Sequence, residues 1–332
     1  MADHAGIDLG GTKIQAVVVD ADHRVLGQAR RPTPTSGGPA DVKDAIVASL
    51  DEAAAAAGVE PASLLGIGVG SPGETDARTG TVAQARNLPG WDGSYPLAAE
   101  ISDATGVPVA VGNDVQVATD AEFRLGAGKP YRSLLGVFWG TGVGGGIVLD
   151  GRPWLGRGGA GEIGHMVVKL NGAHCPCGRR GCMEAYAGRA AMEAKARREV
   201  AKGAHTRLFS IMDKRGRTRL TSGIWHRAVG KGDKLAIVLI DRAVEALAAG
   251  VASACNLLDP EAVVIGGGLG VRFGQPYLER IQDAMLPHLF SSDHPPAVHL
   301  AALGDLGGAI GAALLAPDGA PARSGDAVRA GR

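Results

Sequence analysis

Aromatic residues are scarce: Phe, Trp and Tyr together make up 4% of the 332 residues, while all hydrophobic residues make up 45%. That apolar content is too high for a disordered chain. No sign of charge dominates, since Lys+Arg and Asp+Glu both number 34. A protein that grips nucleic acid through a strongly basic surface is therefore not expected, and a polyanionic ligand would have to be held by local geometry. No Gly-X-Y period accompanies the 52 glycines, which excludes collagen. No basic-then-apolar leader is expected, because Asp3 and His4 interrupt the N-terminal region. The longest helical apolar region, Leu235 to Leu258, contains Asp241, Arg242 and Glu245, so a membrane span is not expected. Cysteine is limited to four residues, three of them within eight positions. That pattern is not a disulfide scaffold. It points to a metal site in a reducing compartment, hence a soluble cytoplasmic protein.

The length suits one large or two medium domains. Short strands are predicted at Ala5–Leu9, Ile14–Asp20 and Arg24–Arg30, separated by GlyGlyThr and AspHis turns. Asp41–Ala57 has helix period through Val42, Ile46, Leu50, Ala53 and Ala57. Leu64–Gly70 and Val107–Val111 read as strands on either side of a helix from Leu97 to Thr105. The second half repeats this order. Strands are predicted at Ser133–Trp139 and Gly146–Asp150, with a weak one at Met166–Leu170. A long helix carries Ile240, Val244, Leu247, Val251, Cys255 and Leu258, and strands and helices then alternate to Ala316. The segment His205–Gly223, with Arg215, Arg217 and Arg219, reads as a solvated loop. Two such halves imply two α/β lobes with a cleft between them. The expected division is a small lobe over 1–115, with a helix at 303–316 packing back on it, a large lobe over 116–302 with a metal module at 165–182, and a flexible tail at 317–332.

Three glycine clusters follow predicted strands: Asp8-Leu9-Gly10-Gly11-Thr12-Lys13, Gly140-Thr141-Gly142-Val143-Gly144-Gly145-Gly146, and Gly266-Gly267-Gly268-Leu269-Gly270. Glycine lets backbone N–H groups approach phosphate oxygens, and Thr adds a hydroxyl donor. Asp8, at a strand end, could hold Mg²⁺ through water. Any one cluster alone is more often just a turn, and Gly266 and Gly267 could equally serve close packing. No Gly-x4-Gly-Lys-Ser/Thr occurs, which excludes a P-loop. Two matches to the dinucleotide fingerprint, Gly140 to Gly145 and Gly68 to Gly73, fail on context. The first runs into a strand and the second holds Pro72.

His165, Cys175, Cys177 and Cys182, spaced by ten, two and five, supply the three-sulfur, one-nitrogen set of a closed structural Zn²⁺ site. His174 is a rival nitrogen ligand, although its immediate neighbour Cys175 makes joint chelation awkward. Cys255 reads as a buried small apolar residue. Asn113-Asp114 follows a strand and opens a helix, so Asp114 suits either an N-cap or a base in a cleft.

Taken in order, AspLeuGlyGlyThrLys, GlyAsnAsp at 112–114, GlyThrGlyValGlyGlyGly, GlyGluIleGlyHis at 161–165 and CysProCysGlyArgArgGlyCysMetGlu at 175–184 resemble the ROK family of sugar kinases and repressors across about residues 6–316. The resemblance implies a two-lobed actin-like ATPase (ribonuclease H-like) fold. It also implies ATP with Mg²⁺ as the donor and structural Zn²⁺. It assigns Asp114 as the general base and favours His165 over His174 at the metal. Sugar contacts fall on Asn113, Asp114, Glu162, His165 through its other ring nitrogen, and Glu184. Nucleotide contacts fall on Asp8, Gly10, Gly11, Thr12, Lys13, Thr141, Gly142, Gly266 and Gly267. AsnLeuProGlyTrp at 87–91 and SerProGly at 71–73 resemble the glucokinase branch, although both are Pro/Gly loops. Glucose is the expected hexose, with N-acetylmannosamine, N-acetylglucosamine or fructose, or a non-catalytic sugar sensor, as alternatives. The family's repressors carry an added N-terminal winged-helix domain, which is not expected because the first phosphate motif begins at Asp8. A homodimer or homotetramer is expected, without nucleic-acid or membrane partners.

Overall fold

The computed structural model describes residues 3–318. They divide into two compact units, one up to Ala121 and again from Asp305, the other Glu122–Gly304. In the first unit β1 (His4–Leu9), β2 (Lys13–Val19) and β3 (Val25–Pro32) form an antiparallel meander. The helix α1 (Pro39–Ala57) follows, with Pro39 in its first turn and Gly58 ending it at φ 72°. Its Val42, Ile46, Leu50 and Ala53 are buried, the stripe that the period predicts. β4 (Gly66–Ser71) pairs parallel with β1. A small sheet of β5 (Glu74–Asp76), β6 (Thr81–Ala83) and β7 (Ser94–Tyr95) precedes α2 (Leu97–Thr105). β8 (Val109–Asn113) then joins β4 in parallel and α3 (Asp114–Leu125) begins at once. The sheet order is β3-β2-β1-β4-β8.

The second unit repeats that plan. β9 (Leu134–Trp139), β10 (Val143–Leu149) and β11 (Arg152–Pro153) form the antiparallel meander. Five helices follow: α4 (Glu184–Ala187), α5 (Arg189–Ala201), α6 (Leu208–Lys214), α7 (Ser222–Gly230) and α8 (Lys234–Leu258). β12 (Ala262–Gly266) pairs parallel with β9, α9 (Gly267–Phe273) and α10 (Gln275–Met285) intervene, and β13 (Ala297–Leu300) closes the sheet as β11-β10-β9-β12-β13. Two meanders, each continued by two parallel strands, are the duplication that the element order suggested. α11 (Gly307–Ala313) belongs to the first unit and packs on β1 and β4. Among the described residues no helix is long and apolar enough to cross a membrane. Of the segment expected to be a tail, Asp318 Oδ1 lies 3.0 Å from His4 Nε2, and 319–332 lie outside the described residues.

Several local expectations are corrected. Met166–Leu170 is not a strand; it makes one isolated bridge, Val167 to Cys182, as part of the cysteine loop. Gly144 and Gly145 are strand rather than turn, paired with Phe138 and Val137. His205–Gly223 is only in part a solvated loop. It contains α6 and buries Leu208, Ile211, Met212 and Leu220. Residues 213–219, which hold Arg215, Arg217 and Arg219, are exposed as expected, and Arg219 and, from α5, Arg197 pair with Glu193, which is 3% exposed.

Glu193 also accepts the Leu220 N–H at 2.9 Å. Burial raises its carboxyl, but the bonds from Arg197, Leu220 and Arg219 outweigh this and hold it below the usual range. A depressed folded-state value means stability that is present at neutral pH and is lost as pH falls below the unfolded value, about 4.3 for Glu. Urea midpoints of the wild type are therefore expected to fall more steeply in that acid window than those of Glu193→Gln. Parallel curves would remove this role for Glu193.

Candidate active site

In the first unit the strand register gathers the predicted residues along one edge. Asp8 faces Gly70 across β1 and β4, and Gly70 and Ser71 face Gly112 and Asn113 across β4 and β8. The carboxyl ends of three parallel strands thus share one row, where open α/β sheets place their ligands. Asp114 follows directly, and a Cβ placed at Gly70 would lie 3.4 Å from its Cα. Asn113 Oδ1 accepts the N–H groups of Val115 and Gln116 at 3.1 and 3.2 Å, so Asn113 caps α3. The amide nitrogen of Asn113 remains its donor toward a ligand. Asp114 Oδ1 accepts the Val115 N–H at 2.9 Å.

The turn Gly10–Thr12 joins β1 to β2. Gly10 N–H donates to Lys13 O at 2.9 Å, and Thr33 Oγ1 donates to Gly10 O at 2.5 Å. Gly11 abuts Asn87, so the loop at 87–91 supports this turn. Trp91 in that loop is buried and donates its Nε1–H to Val82 O at 3.0 Å. Burial pushes the Asp8 carboxyl above its usual range, with Lys13 opposing and Asp305 adding to the rise. Two neighbouring carboxylates, one partly buried, suit a divalent cation, which would relieve both. Asp305 was not legible in the sequence, since it lies 297 positions after Asp8.

In the second unit the 3₁₀ turn Ile163–His165 and the loop after it bring His165, Cys175, Cys177 and Cys182 together, with one ligand atom of each within 4.8 Å of the others. His165 Nδ1 lies 3.8 Å from Cys175 Sγ, and Cys177 Sγ lies 3.8 Å from Cys182 Sγ. A tetrahedron with Zn–S bonds of about 2.3 Å has edges of about 3.8 Å. The donor set and its spacing therefore fit Zn²⁺. His174 turns away, its Nε2 2.6 Å from Arg180. His165 Nε2, the nitrogen not aimed at sulfur, lies 3.8 Å from Glu162 Oε2, and the Glu162 side chain is 60% exposed.

Glu184 links this cluster to the β9–β10 turn. Its Oε1 lies 3.8 Å from Cys175 Sγ, and its Oε2 accepts the Val143 N–H at 2.9 Å. A Cβ at Gly142 would lie 2.2 Å from Glu184 Oε2, so a side chain there would push that carboxylate away. The same turn is tied to α5: Arg189 N–H donates to Gly140 O and Ala190 N–H to Thr141 O, at 3.1 and 3.0 Å. Gly267, at φ 79°, presses on the end of β9, where a Cβ would lie 2.6 Å from Trp139 O. Gly140 and Gly268 are near neighbours, so the two glycine clusters of this unit meet. Ser222, at the start of α7, adjoins Gly268. Neither Arg189 nor Ser222 was singled out from sequence, because nothing local marks them.

Comparison with known proteins identifies the family. The chain is 35% identical to a glucokinase from Thermotoga maritima over 289 residues, covering 85% of this chain and 88% of that protein. It is 33% identical to an N-acetyl-D-glucosamine kinase from Pectobacterium atrosepticum over 327 residues, covering 93% and 97%. A crystal structure of a ROK family glucokinase from Streptomyces griseus in complex with glucose and AMPPNP superposes with TM-score 0.80 at 32% identity, covering 95% of this chain and 99% of that one. Residues 4–319 match the ROK family pattern. With that match, these relatives and the duplicated mixed α/β fold, the chain belongs to the ROK family.

Proposed function

We propose that this ROK-family sugar kinase transfers the γ-phosphoryl group of ATP to the 6-hydroxyl of D-glucose, with Asp114 as general base. The observation that carries the reading is the strand-end row holding Asp8 and, one residue on, Asp114. Asp114 accepts the proton of the 6-hydroxyl as that oxygen bonds to the γ-phosphorus and the bond to the leaving phosphate oxygen breaks. Asn113, Glu162, His165 and Glu184 bind and orient the sugar hydroxyls. Gly10, Gly11, Thr12 and Lys13 cradle phosphate in one unit, as Thr141 and Gly142 do in the other, and Gly266 and Gly267 lie against the base. Asp8 would hold Mg²⁺, whose chemistry is neutralisation of phosphate charge. His165, Cys175, Cys177 and Cys182 would hold Zn²⁺, a structural ion because four protein ligands leave no open position. The thiolate set suits a reducing cytoplasm. A homodimer or homotetramer is the assembly the family resemblance implies.

Glucose is supported by the Thermotoga and Streptomyces relatives. The Pectobacterium relative, at nearly the same identity, favours N-acetylhexosamine as the second reading. A kinetic screen with glucose, fructose, N-acetylglucosamine and N-acetylmannosamine decides it. Glucose is expected to lead in kcat/KM by about tenfold or more. An N-acetylhexosamine in first place would overturn glucose, and no sugar-dependent ADP formation with any of them would overturn the kinase.

A further inference from the structure

We propose that Arg189 is a phosphate-binding residue for the phosphoryl donor; this rests on the kinase reading above. Arg189 opens α5 directly beside the Gly140–Gly142 turn. Its guanidinium donates to Thr141 Oγ1 at 2.6 Å and to Leu220 O at 2.7 Å. A guanidinium carries five N–H donors, so three remain for a ligand. The bond to Thr141 also fixes that exposed hydroxyl as an acceptor, which directs its own proton elsewhere, toward a second acceptor.

The charge on Arg189 is not neutralised locally. Among the described residues it has no carboxylate at ion-pair distance, and the nearby Glu193 is engaged by Arg197, Arg219 and the Leu220 N–H. A half-buried cation without a counter-ion is costly, and a bound phosphate oxygen would supply one with the planar match guanidinium offers. The surroundings agree. Leu220, which holds Arg189, is two residues before Ser222, and Ser222 adjoins Gly268 of the other glycine cluster. Arg189 therefore sits where the two glycine clusters of this unit converge.

The test compares wild type, Arg189→Gln and Arg189→Lys by direct binding of ATP and of adenosine, and by KM for ATP, inorganic polyphosphate and sugar. Gln keeps a hydrogen-bond donor and removes the charge. Arg189→Gln is expected to weaken ATP about 10–100-fold, leave adenosine nearly unchanged and leave sugar KM nearly unchanged, while Lys restores part of the loss. If the wild type uses polyphosphate rather than ATP, the same rise in KM is expected for polyphosphate instead. Unchanged donor binding overturns the proposal. Equal losses for ATP and adenosine also overturn it, because they mark a purely structural role. If Gln at 189 prevents folding, Lys is read alone, and an unchanged ATP affinity then overturns the proposal. Binding is read without turnover, so a wild type with no sugar-dependent activity would sink the kinase reading separately.

Discussion

Asp114→Asn is expected to slow sugar-dependent ADP formation by about 10²–10⁴-fold, the range that a positioned general base supplies. The loss should fall on kcat, because Asn keeps the size of the side chain and its hydrogen bonding to sugar hydroxyls. Thermal unfolding should change little. Asn retains an oxygen to accept the Val115 N–H, and the cap of α3 is formed by Asn113. A merely structural Asp114 would give the opposite pattern, with wild-type kcat and a lowered midpoint. Initial rates by coupled ADP detection, with calorimetry on the same samples, separate the two. A variant that keeps wild-type kcat would remove the base from Asp114.

Loss of the cysteine cluster is expected to give the largest combined effect. Removing bound zinc, or substituting Cys182→Ser, should lower the thermal midpoint and raise the sugar KM together. Cys182 is fully buried, and the loop's backbone bonds, such as Met183 N–H to Met166 O at 2.9 Å, depend on the register that the ligands impose. A destabilisation of about 3–5 kcal/mol corresponds to a fall of about 6–20 °C for a unit of this size. Under the proposed function the route to the sugar runs through Glu184, which touches Cys175 and holds the Val143 N–H, and through His165, whose second nitrogen faces Glu162. Zinc returned to the stripped protein should restore both readouts, since a ligand that binds only the folded state stabilises it by mass action. Full activity and an unchanged midpoint in protein shown by elemental analysis to be metal-free would refute this.

Much of the candidate site was legible because its chemistry is written locally. Cys175, Cys177 and Cys182 sit within one loop, and Gly10–Thr12 sit within one hairpin turn, so neighbours in the chain are neighbours in space. The buried stripes of α1 and α8 were legible for the same reason: helix period repeats every few residues. The failures involve partners far apart in the chain. Arg219 looks unpaired in the sequence until the fold brings Glu193 to it from α5. Glu122 looks like an ordinary helical glutamate. The fold buries it to accept the N–H groups of Ala302 and Leu303, at 3.0 and 2.9 Å, some 180 residues later.

By itself the sequence determined the main strands and helices of each half, the cluster of His165 with three cysteines as a candidate metal site, and the strand-end aspartates, since each depends on short-range period, spacing or turn chemistry. Only the tertiary structure decided that Asp305 stands beside Asp8, that Glu184 joins the cysteine loop to a glycine turn, and that Arg189 carries an uncompensated charge at that turn. Whether a charged side chain is solvated, paired or poised for a ligand depends on the dielectric and the partners around it. Those are supplied by parts of the chain that no local pattern connects.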